Sequence, residues 1–279
     1  MKRSKTLLIA LLTFVLTASL FLPAQAEKLE KIVIGGTPTP HNIILSQIVD
    51  DLKAEGFDLE IREFTEYPIP NPATAAGDID ANFFQHGPYL SAYNNSVPEK
   101  DRLVGAIAVH YEPYGLYAGT KKSLDDLADG DHIAITNDPS NETRALLLLQ
   151  DAGIIKLKEG ITFESSATPL DIVENVKNIV IEEMDAELIP AALPDVAYAV
   201  INGNYAIGAG LSLNDALFIE STEGESANYA NFIVVRTEDA EADFVKALRK
   251  VLFTQKIKDF ILNYEDFKGG VVPVFEVIE

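Results

Sequence analysis

The chain predicts an α/β fold. Short runs rich in Ile and Val alternate with segments whose apolar residues recur at helical spacing. Cysteine is absent, so packing and hydrogen bonds must hold the fold without disulfides. A composition of 47% hydrophobic and 23% charged residues is ordinary for a globular protein. With 279 residues the chain has room for one large domain or two modest lobes.

The alternation begins at Lys31-Ile32-Val33-Ile34, a strand ended by Gly35-Gly36. Ile43 to Leu52 then reads as a helix, with Ile44, Ile48 and Leu52 on one face and Gly56 beyond its end. Leu59-Glu60-Ile61 is a second strand, and this strand–helix–strand order implies a parallel sheet covered by helices. Leu103 to Val109, His132 to Thr136, Val196 to Ile201 and Phe232 to Val235 read as further strands. A helix runs through Ala145-Leu146-Leu147-Leu148-Leu149. Two more close the chain, between Ala242 and Leu252 and between Lys256 and Tyr264. No repeat period marks a solenoid. No Gly/Ser/Pro-rich linker is present either, so two lobes would be joined by strands that cross between them.

Charge restricts the partners. The formal net charge is −21, with 43 acidic against 22 basic residues. Such a surface repels phosphate backbones and anionic lipid, which argues against nucleic-acid binding. At the N-terminus, Lys2, Arg3 and Lys5 precede an apolar stretch from Leu7 to Leu22, then Pro23-Ala24-Gln25-Ala26. This is the pattern of a secretory signal peptide, residues 1–26, cleaved after Ala26. The run is short and interrupted by Thr13, Thr17 and Ser19, unlike a retained anchor.

Three segments carry candidate chemistry. Tyr67 and Asn71, then Phe83-Phe84-Gln85-His86 and Tyr89, concentrate aromatic and polar groups. An apolar ligand arm would bury itself among such rings, and a thioether would gain sulfur–aromatic contact. Phe83 also fits as simple core, and the stretch around His86, ending in Gly87-Pro88, reads as loop-like. In Asn137-Asp138-Pro139-Ser140-Asn141-Glu142-Thr143-Arg144, Asp138 reads as a helix cap with Pro in the first turn. A carboxylate is favoured near that helix start, and Arg144 could grip it through two parallel bonds. Equally, Arg144 could pair with Glu142 or Asp151 at the surface. Asn202-Gly203-Asn204-Tyr205 follows an apolar strand, where open α/β sheets bind ligands, though Asn and Gly also make ordinary turns.

Metal and catalytic patterns are weak. His41, His86, His110 and His132 form no HExxH or H-x-H spacing, so no metal or other cofactor is expected. No GxSxG elbow or Walker loop occurs. Gly208-Ala209-Gly210 starts a dinucleotide fingerprint but meets Leu213 where the third Gly belongs.

Together these motifs resemble one family, the methionine-binding lipoproteins of ABC importers (the NlpA group). The stretches that carry the resemblance are residues 78–86 (Asp78 to His86), Asn137-Asp138-Pro139 with Arg144 to Leu149, and Val200 to Ala206. Ala230 to Val235 and Gly269-Gly270-Val271-Val272-Pro273 also fit. The resemblance implies a two-lobed periplasmic-binding-protein fold, type II-like, with the ligand in the cleft between lobes. It implies one lobe of residues 27–112 plus 230–279 and a second of residues 113–229, with crossings near Glu112 to Gly115 and just before Asn231. Arg144 would bind the ligand carboxylate, and Asn202 and Asn231 the amino-acid head. Tyr67, Phe84, His86 and Tyr89 match the aromatic side, with Asn141, Asn204 and His110 as further candidates.

The implied function is non-enzymatic: an exported, monomeric protein that delivers L-methionine to an ABC permease. A methionine-containing dipeptide or another apolar amino acid is the alternative, favoured by a larger cleft near Tyr114 and Leu188. A hydrolase or lyase using His86 or His110 as base is the reading of another class, and a surface interaction protein a third. Departures from the family pattern are the missing lipobox Cys, Tyr114 where Met is common, Asn42-Ile43 after His41, and Glu187 to Ala191 in place of a run that carries Arg.

Overall fold

The computed structural model describes residues 29–221 and 228–278. The leader segment 1–26 lies outside the described residues. The strands are β1 Glu30–Gly36, β2 Phe57–Glu63, β3 Ala81–His86, β4 Leu103–Tyr111, β5 Gly115–Ala118, β6 His132–Thr136, β7 Lys156–Leu157, β8 Ile172–Glu174, β9 Val180–Met184, β10 Tyr198–Ile201, β11 Ala216–Ile219, β12 Ala230–Arg236 and β13 Val272–Pro273.

They form two main sheets, one per lobe. The first has six strands in the order β13-β4-β12-β3-β1-β2, the second five in the order β11-β5-β10-β6-β9. The first sheet is built on Ile32 and Ile34 of β1, which pack with Phe244, Leu248 and Leu252 of the late helix Asp243–Leu252. In the second, Ile133 and Ile135 of β6 pack against Ala145, Leu146, Leu148 and Leu149 of the helix Pro139–Asp151.

The sheets are mixed, not wholly parallel as the sequence implies. β1 pairs in parallel with β2 and β3, and β6 with β9 and β10. β12 is antiparallel to both β3 and β4. The reason lies in chain direction. β4 ends the first passage through the six-stranded sheet, β5 opens the other sheet, and β12 brings the chain back. An outgoing and a returning strand that lie side by side must run in opposite directions.

Two local expectations need correction. The helix expected over Ile43 to Leu52 is two short helices, Ile43–Ser46 and Val49–Ala54. β-branched Ile43, Ile44, Ile48 and Val49 disfavour one continuous helix, and the break at Ile48 still buries Ile44, Ile48 and Leu52 completely. The loop-like Phe83-to-His86 stretch is strand β3, buried along its whole length. Its polar residues misled the reading, because Asn82 and Gln85 are satisfied inside. Asn82 donates to Thr74 Oγ1 at 2.7 Å and to Asn71 Oδ1 at 3.1 Å, and Asn71 donates to Gln85 Oε1 at 2.9 Å. Alternation along the strand then sends Phe83 into the lobe core and Phe84 toward the other lobe.

Among the described residues, no helix is long and apolar enough to cross a membrane.

Gly119 follows β5 where main chains crowd. A Cβ there would lie 2.2 Å from the Val196 carbonyl and 2.7 Å from that of Leu193. Gly119→Ala should destabilise the fold by about 1–3 kcal/mol in urea unfolding. Gly208→Ala, where a Cβ meets nothing within 4 Å, should leave the midpoint unchanged or higher.

Candidate ligand-binding site

Between the lobes lies a small cavity. Its wall contains Tyr67, Phe84, His86, Tyr89, Asn141, Arg144, Asn202, Asn204 and Asn231, together with Gln85, Glu112 and Gly203. His110 is fully buried behind that wall.

One end is aromatic. The Tyr67 ring lies 5.8 Å from Phe84, 5.7 Å from Tyr89 and 5.0 Å from Tyr205. The other end is polar and centres on Arg144, in the second turn of the helix Pro139–Asp151. Asp138 caps that helix as expected and accepts the Asn141 N–H at 3.0 Å. Neither Glu142 nor Asp151 pairs with Arg144. The partner is Glu220, just past β11, which accepts from Arg144 Nε at 2.9 Å and from Nη2. Nη2 also donates to the Glu112 carbonyl at 2.8 Å. The guanidinium lies 4.0 Å from the Tyr229 ring centre and 4.6 Å from that of Tyr114.

Burial and charge oppose each other at this pair. Burial alone would raise the Glu220 carboxyl and lower the Arg144 guanidinium. Their mutual attraction wins, so Glu220 is held below the usual carboxylate range and Arg144 stays charged.

The amides are held by donors and acceptors of the opposite lobe or the same wall. Asn202 donates to Asn141 Oδ1 at 3.0 Å and accepts from the Tyr114 hydroxyl at 3.1 Å. Tyr67 donates its hydroxyl to Asn204 Oδ1 at 2.5 Å. His86 bonds Asn141 Oδ1 through Nε2 at 2.9 Å, while its Nδ1 accepts the Tyr89 N–H at 3.2 Å. That pattern places the His86 proton on Nε2. Likewise His41 Nε2 donates to Asn231 Oδ1 at 3.2 Å, and its Nδ1 accepts from Thr37 at 2.6 Å. The Asn231 carbonyl is thereby occupied, and its NH2 group remains for the cavity.

Sequence spacing gave no metal pattern, yet the fold gathers His41, His110 and Glu112, with donor atoms within 4.8 Å of one another. The residues that sequence reasoning missed are Glu220, Glu112, His41 and Tyr229. Each acidic one is a single carboxylate among 43 acidic residues, with no local motif to set it apart. Tyr114, which departs from Met, is fully buried, and its hydroxyl donates to Asn202 Oδ1.

Two α/β lobes meeting on a small cavity of this make-up define a solute-binding protein. The chain belongs to the NlpA lipoprotein family, whose pattern it matches over residues 32–275. It is 40% identical over 256 residues to the methionine-binding lipoprotein of Bacillus subtilis, covering 91% of each chain. A nutrient-binding protein from Burkholderia cenocepacia, solved bound to methionine, superposes with a TM-score of 0.81 at 42% identity, over 88% of this chain and 100% of that one. An ABC-transporter periplasmic substrate-binding protein from Coxiella burnetii superposes with a TM-score of 0.79 at 36% identity, over 87% of this chain and 100% of that one.

Burial pushes His41 and His110 down to about 3 and, with the Arg144 charge, His86 down to about 4. The unfolded chain therefore takes up these protons first, near pH 6.5. Each histidine's contribution to stability is complete above that value and is lost on acidification toward its folded value, at roughly 1.4 kcal/mol per pH unit. Glu142, which burial raises to about 8, works in the opposite sense. The direct check is imidazole NMR at pH 5.5, where His41, His86 and His110 should all remain neutral, with the Nε2–H tautomer at His86.

Proposed function

We propose that this protein is the solute receptor of an ABC importer and that it binds methionine, the L form foremost, as a zwitterion. One observation carries the reading: the cavity wall is divided, with Arg144, Asn202 and Asn231 at one end and Tyr67, Phe84 and Tyr89 at the other. The charged and amide end suits an amino-acid head group. The ring-lined end suits an unbranched apolar arm, and sulfur gains from aromatic neighbours. The methionine named for the Bacillus and Burkholderia relatives supports the same ligand.

The reading includes the lobe boundaries at residues 27–112 plus 230–279 and 113–229. It takes Arg144 as the carboxylate receptor and Asn202 and Asn231 as head-group ligands. Tyr67, Phe84, His86 and Tyr89 enclose the side chain. Export follows the leader read in residues 1–26, with cleavage after Ala26. The mature protein works as a monomer and docks on its permease. Catalysis has no part in this account: His86 commits Nε2 to Asn141, and His110 does not reach the cavity.

Isothermal titration of protein stripped of ligand by unfolding and refolding tests the reading. The panel holds L- and D-methionine, leucine and Gly-Met. L-methionine should bind tightest, and Asn231→Ala should weaken it by about 10–100-fold through loss of one buried amide contact. A folded protein that ignores methionine would refute the assignment, and preference for Gly-Met would put the dipeptide in its place.

A further inference from the structure

Glu112 stands two residues beyond His110, on the segment by which the chain leaves the six-stranded sheet. Its carboxylate lies in the cavity wall and is almost wholly buried. Oε1 accepts from His110 Nε2 at 2.8 Å and lies 3.5 Å from His41 Nε2. No Lys or Arg among the described residues lies within ion-pair distance of the carboxylate. Arg144, the nearby cation, donates to the Glu112 main-chain oxygen and spends its charge on Glu220.

The two imidazoles supply no counter-charge. Burial holds both His41 and His110 at about 3, so they are neutral donors at physiological pH. A buried carboxylate without a cation is costly, and the same burial raises the Glu112 carboxyl above its usual range. An ionised carboxylate offers about four acceptor positions, and His110 fills only part of that capacity. The wall therefore contains a preformed acceptor whose missing element is a cation that donates hydrogen bonds.

We propose that Glu112 receives the ammonium group of the bound amino acid, and that His110 is the positioning residue that aims its carboxylate. His110 makes one side-chain hydrogen bond, to Glu112, and its Nδ1 is buried without a partner. A buried bare lone pair costs less than a buried bare N–H, so the proton resides on Nε2 and is given to Glu112. Gly203 leaves the room required: a Cβ there would lie 2.8 Å from Glu112 Oε2 and 2.7 Å from its Cβ. Head-group recognition is then split, with the ammonium on Glu112 and the ligand carboxylate on Arg144 and the amides. This rests on the zwitterion reading above and extends it to a residue that reading leaves out.

The test removes the same interaction from each side in turn. Wild-type protein and Glu112→Gln are titrated with L-methionine and with 4-(methylthio)butanoate, which keeps the thioether and carboxylate but lacks the ammonium. Wild type should prefer methionine by about 100-fold or more, and Glu112→Gln should weaken methionine by about 30-fold or more, the range of buried charge pairs. The two changes must be non-additive: butanoate affinity should change by less than about 3-fold in Glu112→Gln. His110→Phe should lower methionine affinity while sparing the butanoate, and Glu112→Asp should restore part of the preference. Equal losses for both ligands in Glu112→Gln would overturn the proposal and leave methionine binding intact. A folded wild type that binds neither ligand would overturn the proposal together with the reading beneath it.

Discussion

A guanidinium enclosed by tyrosine rings must have a counter-charge, and Glu220 provides it. The two side chains are 5% and 12% exposed, so each would be a costly lone charge without the other. The pair also fixes chain geometry. Glu220 accepts the Tyr114 N–H at 2.7 Å and the Tyr111 hydroxyl, and Arg144 donates to the Glu112 carbonyl. One ion pair thus joins the helix Pro139–Asp151 and the end of β11 to the segment that links β4 with β5. The polar half of the cavity is assembled around that junction.

The rest of the site follows from two lobes sharing their polar partners. His86 of the six-stranded lobe bonds Asn141 of the other, Tyr67 bonds Asn204, and Tyr205 donates to the Thr65 carbonyl at 2.7 Å. These bonds exist only while the cleft is shut. The described arrangement is therefore a closed one, and a ligand that fits the cavity stabilises it over any open form by its difference in affinity for the two. Hinge closure of this kind turns on a few connecting residues, and the passage from β4, ending at Tyr111, to β5, starting at Gly115, is that short.

Much of this was legible in the sequence, for physical reasons that differ by element. β6, the Asp138 cap and the two C-terminal helices stand out because local periodicity and capping chemistry decide them. β3 did not, because its buried Asn82 and Gln85 look like loop residues until Asn71 and Thr74 are brought against them. The mixed sheets were hidden because strand direction depends on where the chain returns, which no local pattern records. In the site, the residues of the cavity wall lie in recognisable segments. The groups that hold them do not: Glu220 lies 76 positions from Arg144, and His41 lies 190 from Asn231. Long-range partners of this kind are set by the fold, and a lone Glu or His carries no signal of its own.

The most direct measurement is a double-mutant cycle on the central ion pair, using Arg144→Met, Glu220→Gln and the double variant, with stability read from urea unfolding and affinity from titration with methionine. Each single change strands one buried charge and should cost about 3–5 kcal/mol, while the double variant should recover most of that stability. Methionine affinity should nevertheless be lost wherever Arg144 is absent. Additive stability losses, or a double variant that binds methionine as wild type does, would contradict the account.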